Sequence, residues 1–159
     1  MTYIDIAQYT QLYGLIPFEV FNRLAWDASR TLDRYTTGID NVKKLSVAFP
    51  AECCAAESVR RCCAKLVNIM HQIEQVTNAA GFVETENGLR GKVISSVSAG
   101  NESVSYSVGS SAMVTEIEKA ALDPAVRERL FDNTIRSCLS GVADANGVNL
   151  LYMGRYPRR

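Results

Sequence analysis

With 159 residues, 47% of them hydrophobic, the chain has enough apolar material for one domain with a real core and too much for a disordered segment. Lysine plus arginine number 17 and aspartate plus glutamate 17, and a zero formal charge argues against a protein whose main work is gripping DNA phosphates. No run approaches the roughly 20 apolar residues of a membrane helix, and Met1 to Ile6 lacks the basic-then-apolar order of a signal peptide, so a soluble, cytoplasmically made protein with no membrane partner is expected.

Residues 3–13 read as a short helix with Tyr3, Ile4, Ile6, Tyr9 and Leu12 on its apolar side and Gly14 as its stop. Pro17 suits the first turn of a second helix, where its missing N–H costs nothing. Phe18, Phe21, Leu24, Ala25, Ala28, Leu32 and Tyr35 recur at helical spacing as far as residue 36. The opposite face carries Arg23, Asp27, Arg30, Asp33 and Arg34, a solvated or intersubunit face. Residues 37–50 form a connector containing Gly38, Asp40, Asn41 and Pro50.

A long helix is expected over residues 51–79, on the order of 40 Å at 1.5 Å per residue. Val59, Cys62, Cys63, Leu66, Ile69, Met70, Ile73 and Val76 form its apolar side, and Gly81 ends it. The period then changes. Residues 92–98 and 103–108 are β-branched and partly alternating, and residues 99–102 read as a turn, giving a small β-hairpin or a pair of extended arms. Such a ribbon is marginal alone and must lean on helices or on another subunit. Helical character returns over 111–121 and again after Asp123-Pro124, where aspartate can cap and proline can take the first helical position. Val126, Leu130, Ile135, Cys138 and Leu139 form the apolar side of this last helix, which Gly141 ends. Beyond it, Leu150, Leu151 and Tyr152 make an apolar segment that needs a cover, and Arg155, Arg158 and Arg159 make a basic tip.

The expected fold is therefore mainly α: a single domain over 1–159, built as a helical bundle on a long central helix, with a β excursion at 92–108 and a C-terminal arm at 142–159.

Little in the chain points to chemistry. The five cysteines, at 53, 54, 62, 63 and 138, are odd in number and partly adjacent, which fits neither a disulfide framework nor the CxxC spacing of zinc sites. They read as buried small side chains, with a thiol contact across subunits as a lesser option. His71 is the only histidine, and no phosphate-binding glycine loop occurs. The carboxylates Glu84, Glu86, Glu116, Glu118 and Asp123 form no site signature. Neither a catalytic centre, a metal site nor a cofactor is expected. Arg60, Arg61 and Lys65, with Lys43 and Lys44 before them, could form a basic patch facing DNA or an acidic partner, against the plainer reading of salt-bridged and solubilising charges.

Several stretches, taken in order, resemble the head–tail connector (adaptor) proteins of tailed bacteriophages. Thr2 to Ile4 with the Tyr9 to Gly14 segment looks like the family's short first helix. Residues 28–36, with Arg30, Asp33, Arg34 and Thr36, resemble the end of its second helix, and residues 100–106 resemble its serine-rich segment ending Ser-Val-Ser-Tyr. The most specific match is 138–154, similar to Tyr-Leu-x-Gly, then Asp-x-x-Gly, then Leu-Leu-Tyr-Arg-Gly. Here Cys138 replaces the usual tyrosine and Met153 the usual arginine, while Gly141, Gly147, Leu150, Leu151, Tyr152 and Gly154 keep the pattern.

The resemblance implies a non-enzymatic virion protein at the head–tail interface, made in the host cytoplasm. It would form a homo-oligomeric ring, commonly of twelve subunits, while being able to exist as a monomer in isolation. The ring would join the portal protein to a stopper or tail-completion protein around a channel that DNA passes without sequence-specific binding. It further implies subunit or portal contacts at Arg23, Arg30 and Arg34 on the second helix, Ser103 and Tyr106 in the β excursion, and Leu150, Leu151, Tyr152, Arg155, Arg158 and Arg159 in the arm. The alternative is a small DNA-binding or packaging accessory protein of a phage, which would call for a helix-turn-helix or a positive balance.

Overall fold

The computed structural model describes residues 2–79, 82–85, 88–91, 93–97, 104–107 and 115–157. Among them are six helices: α1 (Ile6–Tyr13), α2 (Phe18–Thr36), α3 (Lys44–Val47), α4 (Cys53–Ala79), α5 (Glu116–Leu122) and α6 (Pro124–Leu139). Four strands, β1 (Phe82–Thr85), β2 (Gly88–Gly91), β3 (Val93–Val97) and β4 (Val104–Ser107), lie between α4 and α5. The chain divides into two compact units, one of Met1–Met70 with Phe131–Arg159 and the other of His71–Leu130.

The helical expectation stands, but the architecture built around it is corrected. The helices carry the fold, and the strands form no single excursion. Among the described residues they make two separate antiparallel pairs, β1 with β2 and β3 with β4. The first pair was invisible to a search for alternation because β2 begins and ends on glycine. Within the C-terminal segment Leu150 is fully buried. The turn expected at 99–102, the helix stop at Gly81 and the helical start at 111–114 lie outside the described residues.

In the first unit the sequence signals translate directly into geometry. Asp5 caps α1 by accepting from the Gln8 amide at 2.8 Å, and Gly14, at φ 90°, ends the helix in a conformation that disfavours other residues. Phe21, Leu24, Ala25, Ala28 and Leu32 of α2 are buried, as are Ala56, Val59, Cys62, Cys63, Ala64, Leu66, Val67 and Ile69 of α4 and Phe131, Ile135 and Leu139 of α6. Each fully buried Leu, Ile, Val or Phe side chain contributes about 1.5–3 kcal/mol. The N-terminal segment is tied to α2 by polar contacts. The Tyr3 amide donates to Ser29 Oγ at 3.1 Å, and the Tyr3 hydroxyl donates to Asp33 Oδ1 at 2.5 Å. Burial and the Asp33 carboxylate push the Tyr3 phenol well above its ordinary range.

Two sequence-level core assignments are corrected. Phe18, at the first turn of α2, is 63% exposed, and Leu12 is 47% exposed, because both sit at the α1–α2 corner. The cysteines also split: Cys62 and Cys63 are buried, while Cys53 and Cys54 are exposed in the first turn of α4. Within the connector, the short helix α3 was not anticipated.

In the second unit, Thr115 and Glu118 form a reciprocal capping box on α5. The Glu118 amide donates to Thr115 Oγ1 at 3.3 Å, and the Thr115 amide donates to Glu118 Oε2 at 2.7 Å. Arg127 donates to the carbonyls of Ala120 at 2.9 Å and Ala121 at 3.1 Å, filling the acceptors left open where α5 ends. Asp123 accepts from the Ala125 amide at 2.8 Å, so Asp123-Pro124 starts α6 as its residue types suggest.

Candidate docking surface

The segment after α6 folds back onto its own unit and is locked there by three polar devices. Gly141, at φ 76°, ends the helix, and Leu150 returns its amide to the Val142 carbonyl at 2.9 Å. Asp144 organises the turn between them. Its Oδ1 accepts from the amides of Asn146 and Val148, both at 2.9 Å, and its Oδ2 accepts from the Tyr156 hydroxyl at 2.6 Å. Gly147, at φ 76°, supplies the left-handed residue the turn requires.

Lys44 is the second device. Its side chain is fully buried, and its ammonium donates to the carbonyls of Leu150 at 3.0 Å, Asn149 at 3.4 Å and Tyr152. The Tyr152 ring covers the ammonium at 5.8 Å from ring centroid to nitrogen. Burial lowers the Lys44 pKa, while Asp144 and Asp40 oppose that shift by favouring the cation. A buried lysine with no acceptors would cost several kcal/mol, so the folded-back segment and the lysine depend on each other.

The third device joins the segment to the connector. The Ile39 amide donates to the Met153 carbonyl at 3.1 Å, and the Tyr156 amide donates to Asp40 Oδ2 at 2.7 Å. The hydrogen bond from the Tyr156 amide holds the Asp40 carboxyl below its ordinary range. Gly38 and Gly154 meet so closely that a Cβ on Gly38 would lie 2.5 Å from the Gly154 carbonyl oxygen.

Two kinds of surface remain open on this unit. One is apolar: at the α1–α2 corner Leu12, Tyr13, Leu15 and Phe18 are exposed, Leu15 by 94%, and the joined backbones of residues 39 and 153 present Ile39 and Met153 to solvent. The other is the charged face of α2. Arg30 lies over the half-exposed Trp26 ring at 4.6 Å and Arg34 over Tyr35 at 5.2 Å. An open groove of about 530 Å³ runs along this face between Asp27, Arg30, Asp33, Arg34 and Lys43.

The candidate contact residues therefore fall into three groups. Arg23, Arg30, Arg34, Tyr152 and Arg155 are exposed, and Leu151 is half-buried. Leu150 is buried, beside the segment's own turn and Lys44. Tyr106 is described only as a backbone position in β4, and Ser103, Arg158 and Arg159 lie outside the described residues. The basic-patch reading around α4 also loses members: Lys44 is buried, Arg61 pairs with Glu57 at 2.9 Å, and Arg60 lies 6.0 Å over Phe49. The apolar corner was missed by the sequence reading, although Leu15 between Gly14 and Pro17 breaks the helical pattern and marks it. Among the described residues no group of histidine, cysteine and carboxylate side chains is placed to hold a metal, and no helix is long and apolar enough to cross a membrane. No protein-family model matches this chain, and neither curated proteins nor solved structures give a match.

Proposed function

We propose that this chain is a structural assembly subunit of the tailed-phage neck, one copy of a ring that joins the portal to a stopper or tail-completion protein and surrounds passing DNA without reading its sequence. The observation that carries this reading is the exposed apolar corner of Leu12, Tyr13, Leu15 and Phe18, four large side chains within seven residues, each at least 42% exposed and Leu15 94%. Grouped apolar exposure of this kind marks a protein-docking surface. The resemblance over residues 138–154 supports the same reading, since five of its six pattern residues have a structural task. Gly141 and Gly147 take positive φ, Leu150 fills the core, Tyr152 receives the Lys44 ammonium, and Gly154 abuts Gly38. A closed ring uses heterologous contacts, which suits a subunit whose apolar corner and charged α2 face differ in chemistry.

Native mass spectrometry and electron microscopy of the purified chain, with and without portal, test the proposal. Assembly is expected on the portal, and persistent monomer in both conditions refutes it. Burial of Leu15 and Phe18 would each contribute about 1.5–3 kcal/mol, so Leu15→Ser with Phe18→Ser is expected to abolish assembly while leaving helix content and melting unchanged.

A further inference from the structure

Charge is divided unevenly in a chain that is neutral overall. The unit of Met1–Met70 with Phe131–Arg159 holds twelve lysines and arginines against nine aspartates and glutamates, and the unit His71–Leu130 holds five against eight. Each unit also presents one helix with charges at matching spacing. On α2 the order is Arg23, Asp27, Arg30, steps of four and then three residues, which bring all three to one side of the helix. On α5 and its C-cap the order is Glu116, Lys119, Asp123, steps of three and then four. Turned end for end, the second series fits the first with every sign opposite: Asp123 meets Arg23, Lys119 meets Asp27, and Glu116 meets Arg30. Each series spans about 10 Å at 1.5 Å per residue.

These side chains are open to a partner. Arg23, Arg30, Glu116, Lys119 and Asp123 are exposed, and Asp27 is half-buried. Among the described residues Asp27, Arg30, Glu116 and Lys119 enter no ion pair. Asp27 and Arg30 line the open groove on α2, where Arg34 and Lys43 add cations. The groove's other carboxylate, Asp33, already accepts from the Tyr3 hydroxyl. Apolar groups flank both series: Trp26, 49% exposed beneath the Arg30 guanidinium, neighbours Arg23 and Arg30 on α2, and Leu122, 47% exposed, follows Lys119 by three residues on α5. Exposed ion pairs set orientation more than affinity, whereas tryptophan and arginine carry affinity once water is excluded. We propose that the charged side of α2 is the docking site for α5 of a second copy of this chain, set antiparallel, with Arg30–Glu116 and Asp27–Lys119 as its paired charges and Trp26 against Leu122. Arg23 and Asp123 extend the contact at one end, and Lys43 stands beside Glu116 at the other. The antiparallel setting is the one in which both steps of the two series coincide. The contact joins unlike faces, as a closed ring requires, and so rests on the reading of the chain as a ring subunit.

The test mixes heavy-isotope and unlabelled full chain, alone and assembled on portal, at low ionic strength, where exposed charges are least screened. A zero-length carbodiimide then joins carboxylates to amines. The expected products are peptides linking Asp27 to Lys119 and Glu116 to Lys43, with one label from each copy. Arg30→Glu and Glu116→Arg should each raise the chain concentration needed for half-assembly by about three- to tenfold. The chain carrying both should recover most of that loss, because the pair is restored with its signs exchanged; damage to folding gives no such recovery. The proposal is overturned if no link carries both labels, or if the doubly reversed chain assembles no better than either single variant. Should assembly on portal persist alongside either result, the docking surface falls and the ring reading stands. Persistent monomer in both preparations overturns both.

Discussion

Replacing Lys44 by methionine would separate the ammonium from the packing of its stem, since methionine retains much of the aliphatic volume. The substitution removes a donor shared by the carbonyls of Asn149, Leu150 and Tyr152 and leaves the buried Leu150 carbonyl without it. A hydrogen bond from a charged donor contributes about 1.5–3 kcal/mol, and an enclosed group left without a partner costs about 1–3 kcal/mol. Against this, the ammonium no longer has to be desolvated, which offsets part of the loss. The contact at 3.4 Å adds little. The net expectation is a destabilisation of about 2–4 kcal/mol. In urea, at a slope of roughly 2 kcal/mol/M, the midpoint should fall by about 1–2 M.

Hydrogen exchange would locate the effect. The amides of Leu150, Tyr152 and Ile39, which donate to Val142, Asn149 and Met153, should exchange on the order of 30- to 900-fold faster if the segment opens locally by that amount. Lys43→Met at the exposed neighbouring position is the control and should stay within about 0.5 kcal/mol of the parent. Lys44→Met matching this control in midpoint, with unchanged exchange at the three amides, would show that the lysine does not hold the segment.

Two further outcomes follow from the same region. Asp40 has a depressed pKa in the folded chain, so its contribution is fully present above the ordinary value of 3.8 and is lost as pH falls through the lower folded value. Asp40→Asn should therefore exchange the Tyr156 amide faster than the parent at about pH 6, with the gap closing as pH falls below the ordinary carboxylate range; a gap independent of pH would rule out the carboxylate as the cause. Gly38→Ala should destabilise by about 1–3 kcal/mol, as overpacking does, because the new Cβ meets a backbone oxygen that cannot swing away. A melting temperature equal to that of the parent would mean the two glycines do not meet in solution.

The parts of this fold legible in the sequence are those set by local chemistry. The stripe Phe21, Leu24, Ala28 and Leu32 defines α2, and Gly14, Gly141 and Asp123-Pro124 mark ends and starts because their conformational preferences act within a turn. Long-range pairing was not legible. Lys44 counts as a surface cation in any composition argument, and only acceptors more than a hundred residues away make its burial tolerable. Phe18 fails for a different reason. It fits the apolar period of α2 but stands in the first turn at a corner, where it is left mostly exposed.

The seam between residues 39 and 153 also affects the timing of folding. Its two sides lie more than a hundred residues apart in the chain, and contacts of such separation form late because a long loop must close before they return any energy. α1, α2 and α4 can collapse without it, yet the surface bearing Ile39 and Met153 exists only once the seam has closed. A half-folded molecule lacks that patch. Binding through it would therefore select finished subunits over unfinished ones without any separate quality check.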